Sequence, residues 1–406
     1  MTSILTNNGA MVALQTLKSI NSNLADTQNQ ISTGKDVSSA KDNSAVWAIS
    51  KVMEADVSGF KAISDSLSLG ESTVAVGRNA AETTTDLLTE IKNKITSSQE
   101  ANVDRGKIQG DISALTDQIE AVVGAAQFNG LNLIDGSAAS PVKVMASLDR
   151  ASDGSVTTRT IDVNAQNLSQ TAATAGGLGG ADPTTAATVA AGATEVVATF
   201  TSTDANAVDA GRTFQGGIAG MSADVTYVAG EGDSLNDVNK EMALRLNVQA
   251  AKDGLDVSFA VNDSGDIEMT NNTDADIAVA AADFAEALDN GTESDGVAGG
   301  KLDMLAGIDV STENGAKAAM VAVEGLIQNS IDAAASFGSV ENRISIQNDF
   351  VGKLSDSMKA GIGSLVDANM EEASAKLKAL QTQQQLGVQS LSIANQAPGA
   401  IMSLFR

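Results

Sequence analysis

An apolar stripe of coiled-coil spacing sits at each end of this 406-residue chain. Near the start, Leu14, Leu17, Leu24 and Ile31 follow a 3-4 spacing, with polar Asn21 and Gln28 at the intervening seam positions. Near the other end, Leu377, Leu380, Leu391, Ile401 and Leu404 carry the second stripe, and Gln381 to Gln385 interrupt it. A 3-4 repeat lines up a narrow seam that matches another helix, and polar residues in the seam set register at a cost in stability. An isolated helix of this kind needs a partner for its stripe, because helical stability in proteins comes mostly from packing. No short loop offers one nearby, and the most similar element is the opposite terminus. The expected arrangement pairs residues 1–33 with about 372–405, and 41–125 with 316–370. Such a pair still leaves apolar surface for neighbouring subunits. A heterologous contact that does not close would build a helical filament.

Between the stripes the periodicity marks further elements. The first helix is expected over Ile4–Thr33, stopped by Gly34, which accepts the left-handed conformation. The run Ser39-Ala40-Lys41-Asp42 reads as a capping box for a long helix from Lys41 to about Ser97. A third helix spans about Val103–Val123. Gln127-Phe128-Asn129-Gly130 then breaks the pattern, with a short strand or hairpin over Leu131–Ile134. Toward the C-terminus one helix is expected over Ala316–Ser336 and a longer one over Val340–Asn395, ended by Pro398. The middle lacks a helical period. Glu195–Phe200, Leu255–Val261 and Ile267–Thr270 alternate like strands, the last two joined by a turn at Asn262–Asp266. Ser234–Val248 and Ala280–Leu288 read as short helices. The fold class is therefore mainly α with an α+β insert: a long-helix bundle made from both termini around a variable outer domain. Three domains are expected: 1–38 with 372–406, 39–140 with 310–371, and the insert 141–309.

Composition removes most chemistry. The chain has no cysteine and no histidine, which excludes disulfides, thiol nucleophiles, Ser-His-Asp triads and imidazole-bound metals. It carries 25 basic and 51 acidic residues, a formal net charge of −26, which disfavours a nucleic-acid backbone as partner. Residues 141–310 hold 26 acids and 8 bases, so most of the negative charge belongs to the insert. The acidic insert invites a calcium reading through Asp263, Asp266, Glu268, Asp274 and Asp276, but no EF-hand or nonapeptide pattern fits, and a solvated surface explains it better. Ser38-Ser39-Ala40-Lys41 matches a lone S-x-x-K, without the companion motifs that would make it catalytic. No catalytic, cofactor or metal site is expected. No signal-peptide pattern and no membrane-spanning run is present in the sequence, so neither membrane insertion nor a cleaved leader is expected.

The same residues carry a family resemblance. Leu24-Ala25-Asp26-Thr27-Gln28, Ile31-Ser32-Thr33-Gly34-Lys35, Ser39-Ala40-Lys41-Asp42-Asn43, Gln127-Phe128-Asn129-Gly130, Ala394-Asn395-Gln396-Ala397-Pro398 and Leu404-Phe405-Arg406 stand in order at the two ends. Together they resemble bacterial flagellin, and most of all the alphaproteobacterial type. The resemblance covers about 1–137 and 311–406. It implies a structural subunit that polymerises with itself into the extracellular flagellar filament, exported by the flagellar type III route without a cleaved signal peptide. It also implies an export chaperone and contacts with hook-junction and cap proteins. One departure concerns the innate Toll-like flagellin receptor. Asp86-Leu87-Leu88-Thr89-Glu90-Ile91 has no arginine where many flagellins carry Gln-Arg-Val-Arg-Glu-Leu, and Gln118 stands where the family has a contacting glutamate. Recognition by that receptor is expected to be weak or absent. The alternatives are a flagellin-like hook–filament junction protein and a secreted acidic adhesin or calcium-binding module.

Overall fold

A computed structural model describes residues 7–138, 141–151, 155–179, 182–185, 188–202, 208–279, 283–287 and 296–403, with side chains described as far as 396. In chain order the elements are helices α1 (Asn8–Thr33), α2 (Ser44–Ser98) and α3 (Arg105–Ala125), then strands β1 (Gln127–Phe128), β2 (Leu131–Asn132), β3 (Val142–Arg150) and β4 (Val156–Val163). The insert adds β5 (Thr188–Val189), β6 (Thr194–Ala198), β7 (Thr213–Gly216), β8 (Val225–Val228), α4 (Leu235–Asp253), β9 (Val257–Val261), β10 (Ile267–Asn271), β11 (Ile277–Ala278) and β12 (Phe284–Glu286). A 3-10 turn at Asp303–Gly307 leads into α5 (Glu313–Val366) and α6 (Met370–Ser403). The chain is mainly helical around a β-rich insert, as the periodicity indicated.

The chain divides into two compact units. The first comprises residues 1–65, 147–157 and 349–406, and the second 66–146 and 158–348. The first holds α1, α6 and the adjoining ends of α2 and α5. Its helices are tied at the α1 exit: the Asp36 N–H donates to the Val366 carbonyl at 2.7 Å, and the Ala368 N–H to the Gly34 carbonyl at 2.9 Å. Arg150 binds Asp56 through Nε at 3.0 Å and a second guanidinium nitrogen at 2.6 Å.

The second unit is organised by heptads. On α2, Leu67, Val74, Ala81, Leu88 and Ile95 are buried at every seventh position, and Gly70, Gly77, Thr84, Ile91 and Ser98 form the companion row. On α5, Val323, Leu326, Ser330, Ala333, Phe337 and Ile344 continue the 3-4 rhythm. Two α2 glycines leave room for large neighbours. Phe337, with no exposure, lies over Gly77, and Val144 of β3 lies over Gly70, where a Cβ would come within 2.7 Å of it. Arg78 reaches across to Glu341 at 2.7 Å, and Gln347 Nε2 donates to the Ala146 carbonyl at 2.9 Å.

The insert has its own core. Strands β6, β10 and β9 form one antiparallel sheet, β12, β7 and β8 another, and α4 packs on them through Val238, Met242, Leu246 and Ala250. Ser234 and Asp237 cap α4 reciprocally, and Gly254 ends it with φ 71°. The expected β9–β10 hairpin is present, with Asn262 closing its turn. Residues 280–282 and 288 lie outside the described residues, but Phe284–Glu286 is a strand and not the expected helix. Phe284 and Glu286 are buried and Ala285, between them, is only half-buried, the period of two of a strand, and a run this short and apolar does not tell strand from helix by periodicity alone. The chain leaves and returns through paired connectors. The Gly300 N–H donates to the Thr171 carbonyl at 2.9 Å and the Lys301 N–H to the Asn167 carbonyl at 2.8 Å. Gly300 is required there, since a Cβ would fall on the Ser169 carbonyl.

Several helix boundaries differ from the sequence reading: α1 starts at Asn8, after its Asn7 cap, and not at Ile4, and α4 runs past Val248 to Asp253, where Gly254 ends it. The C-terminal helices break at residues 367–369 and not near Ser336–Val340, because buried Phe337 holds Gly338 within α5 while backbone bonds to Gly34 and Asp36 turn the chain at Asp367. The α5 start moves back to Glu313, with Thr312 Oγ1 accepting from the Gly315 N–H at 3.0 Å. Pro398 does not end α6, which continues to Ser403.

Candidate assembly interface

The terminal helices α1 and α6 run antiparallel in contact. Asn7 caps α1, its Oδ1 accepting from the Ala10 N–H at 3.1 Å, and Gly34 closes it with φ 69°. No acidic residue supports the first turn and no basic residue the last, so α1 leans on its caps and its partner.

Both helices turn a heptad seam toward each other. On α1 the shielded positions are Ala10, Ala13, Leu17, Ile20, Leu24, Thr27 and Ile31, and on α6 they are Ala373, Leu377, Leu380, Gln384, Gly387, Leu391 and Ala394. Leu17, Leu24, Ile31, Leu377, Leu380 and Leu391 are among these shielded positions. Leu14, Asn21 and Gln28 are not. These three are exposed on a neighbouring stripe, because α1 carries two overlapping 3-4 phases and the pair uses the one containing Ala13, Ile20 and Thr27. Gly387 of α6 lies against Leu17 and Ile20 of this row. A Cβ at Gly387 would sit 3.1 Å from Leu17 Cδ1, so glycine lets the two backbones approach. Asn21 still reaches α6 from the seam edge, its Oδ1 accepting from Gln384 Nε2 at 2.7 Å.

Apolar side chains also remain outside the seam on both helices. Leu14 is 58% exposed, and on α6 Leu386 and Ile393, seven residues apart, are 58% and 69% exposed. Met11, Val12 and Val388 are also exposed. Asn395 is an exposed residue of α6, Ile401 lies in its last turn, and Leu404 falls outside the described residues.

The corner after α1 is built by Asp42. Its carboxylate accepts from the Ser39 N–H at 2.9 Å and from the Ser38 N–H and both serine hydroxyls at 3.1 Å. The Ser39 bonds, then those from Ser38, hold the Asp42 carboxyl below its ordinary range. Residues 39–42 are thus a turn and not a capping box. The helix cap is Asn43, whose Oδ1 accepts from the Val46 N–H at 3.2 Å. Ala40 and Lys41 are exposed, and both hydroxyls of the S-x-x-K match are spent on Asp42. Beside this corner Glu54 binds Lys51 at 2.6 Å and Lys35 at 3.4 Å; these bonds, the one from Lys51 foremost, hold its carboxyl low.

In the second unit a hairpin is present but starts earlier than the expected Leu131–Ile134: Gln127 pairs with Asn132 and Phe128 with Leu131, so the Gln127-Phe128-Asn129-Gly130 run supplies its first strand and its turn. Asn129 and Gly130 both take positive φ, 51° and 82°, as a two-residue primed turn demands. Asn132, which sequence reasoning passed over, fixes it: Nδ2 donates to the Val123 carbonyl at 2.7 Å and Oδ1 accepts from the Ile134 N–H at 2.9 Å. Gln109 was missed as well. It donates to the Ile308 carbonyl at 3.0 Å and accepts from the Val310 N–H at 2.8 Å, securing the chain where it returns to α5. A lone polar residue on an amphipathic helix gives no sequence signal of such a role.

Two family models match the chain: the bacterial flagellin N-terminal helical region over residues 4–139 and the bacterial flagellin C-terminal helical region over 320–405. Flagellin A of Rhizobium meliloti is 35% identical over 418 residues, covering 100% of both chains.

The chain belongs to the bacterial flagellin family.

Flagellin FljM of Caulobacter vibrioides is 29% identical, covering 100% of this flagellin and 99% of its own chain, which agrees with the alphaproteobacterial character of the terminal motifs. Among solved structures, FliC from Burkholderia pseudomallei aligns at TM-score 0.32 and 14% identity over 68% of this flagellin and 99% of its own chain. The flagellar junction protein FlgL from Legionella pneumophila aligns at TM-score 0.33 and 12% identity, over 73% and 99%. This flagellin is a structural subunit of the bacterial flagellar filament, the self-assembled extracellular polymer used for motility. Among the described residues no helix is long and apolar enough to cross a membrane.

Proposed function

We propose that this flagellin polymerises through its two terminal helices, with α1 and α6 of each copy paired to each other and their outer stripes set against neighbouring copies. The observation that carries this reading is the apolar surface left uncovered within one chain, Leu14 on α1 with Leu386 and Ile393 on α6. A contact between unlike patches that does not close produces a helical polymer. In this reading residues 1–38 with 372–406 form an inner coiled-coil domain, 39–140 with 310–371 a helical-bundle domain, and 141–309 the outer domain, whose acidity suits a solvated surface.

The remaining partners follow from family membership. The subunit leaves the cell without a cleaved signal peptide, escorted by an export chaperone, and meets junction and cap proteins at the filament ends. The Toll-like flagellin receptor recognises it poorly, since Asp86 to Ile91 contains no arginine and Gln118 replaces the family glutamate. A receptor reporter assay with monomeric protein should stay near background; a potent response would overturn that point. The assembly reading is tested by Leu14→Glu together with Ile393→Glu. Both side chains lie off the α1–α6 seam, so the chain should keep its helical content while salt-induced polymerisation is lost. Long filaments from the double variant would contradict it.

A further inference from the structure

A proline inside a helix has no N–H, so the carbonyl four residues earlier loses its partner. In α6 that proline is Pro398 and that carbonyl belongs to Ala394. The Ala394 carbonyl instead accepts from Asn7 Nδ2 at 2.7 Å. The other atom of the same amide, Asn7 Oδ1, accepts from the Ala10 N–H and caps α1. One side chain thus satisfies two groups that two different helices leave open, 387 residues apart in sequence.

We propose that Asn7 is a positioning residue for assembly: it latches the start of α1 to the carbonyl that Pro398 frees in α6 and so fixes the register of the terminal pair. Serine, threonine and aspartate cap helices as well as asparagine does, but none offers an acceptor to its own helix and an amide donor to a second one. A register device is needed because both seams repeat every seven residues with aliphatic or small side chains. A one-heptad slip would still bury apolar surface against apolar surface. Polar pins break that degeneracy at three places: the Ala368 N–H on the Gly34 carbonyl at one end, Gln384 on Asn21 in the middle, and Asn7 on Ala394 at the other end. The first two use ordinary turn and seam groups, whereas the third depends on the proline.

The proposal rests on the reading that the α1–α6 pair is the assembling element. The test is a double-mutant cycle on full-length protein. Asn7→Ser keeps the α1 cap and removes the reach to α6; Asn7→Asp, a second route to the same end, keeps the cap and removes the donor. Pro398→Ala gives the Ala394 carbonyl its own helical N–H. The readout is the critical concentration for polymerisation of each chain. In the native background Asn7→Ser should raise it about fivefold to tenfold, the size of one net hydrogen bond. In the Pro398→Ala background the same change should cost less than about twofold, because the carbonyl no longer needs the latch. Equal costs in the two backgrounds, or no cost with Pro398 present, would overturn the latch. Since all these chains are compared as polymers, that failure would leave terminal assembly standing, which the Leu14 and Ile393 test addresses separately.

Discussion

The insert contains a buried ion pair whose removal separates folding of the outer segment from polymerisation. Arg212 and Glu286 are each 2% exposed at the side chain, with a guanidinium nitrogen 3.2 Å from the carboxylate. Glu286 also accepts from the Thr201 N–H at 3.1 Å and the Thr201 hydroxyl at 2.8 Å, while Arg212 Nε donates to the Ala287 carbonyl at 2.9 Å. The guanidinium lies 5.1 Å from the centre of the Phe214 ring, and Phe214 packs edge-on against Phe200. The pair therefore ties β7 to β12 at the centre of the insert core. Replacing Glu286 by Ala strands a buried cation and takes the acceptor from Thr201. Breaking one side of a buried pair typically costs about 3–5 kcal/mol. Replacing both members, Arg212→Met with Glu286→Leu, should recover most of that loss, because well-packed apolar groups often match a buried pair. Urea unfolding followed by Tyr227 fluorescence reads the insert, since this is the chain's one tyrosine and it lies on β8 with Arg245 of α4 over its ring. The E286A chain should unfold at lower urea and still form filaments, because neither α1 nor α6 carries the pair. A loss below about 1 kcal/mol would refute the energetic argument, and a chain that no longer polymerises would refute the separation of the insert from assembly.

Two further outcomes follow. Phe337→Ala should destabilise the helical body by about 3–5 kcal/mol, read as a lower denaturant midpoint of the second unit by circular dichroism, because it removes a fully buried aromatic ring packed over Gly77. Stability should also fall on acidification. Asp42, Glu54 and Asp309 have carboxyls held low by the bonds they accept, so the folded chain binds fewer protons than the unfolded one, and their contribution, present above about pH 4, is lost as pH drops through their lowered values. Glu241 runs the other way. Burial raises its carboxyl, against the pull of Arg245 and Asn329, so its contribution is greatest in acid and lost as pH rises through the raised value. Glu241→Gln should therefore flatten only that opposing limb in denaturant titrations run across the pH range.

The terminal helices, the hairpin at Gln127–Asn132, the α4 segment and the β9–β10 pair were legible in the sequence because each is marked by a period or a turn residue with one physical meaning. What escaped it was phase and continuity. On α1, Leu14, Asn21 and Gln28 keep the 3-4 spacing as faithfully as Ala13, Ile20 and Thr27 do, and the row that faces the distant α6 is the one whose Ile20 approaches Gly387. Gly338 and Pro398 look like helix stops, yet Phe337 packing carries the helix past one and α6 runs through the other. Ser39 looks like a cap because its spacing to Asp42 is right, but Asp42 binds Ser38 as well, and the cap passes to Asn43. The choice of phase on α1 is settled by a helix far away in sequence, whereas the other misses turn on packing and hydrogen bonds at neighbouring residues.

Electron microscopy of the purified chain under polymerising salt, beside the same chain lacking residues 372–406, tests the central claim most directly. The full chain should form long uniform tubes. The truncated chain should stay monomeric with its insert core intact, since α1 then has neither α6 nor the stripe of Leu386 and Ile393. Tubes from the truncated chain would contradict assembly through the paired termini.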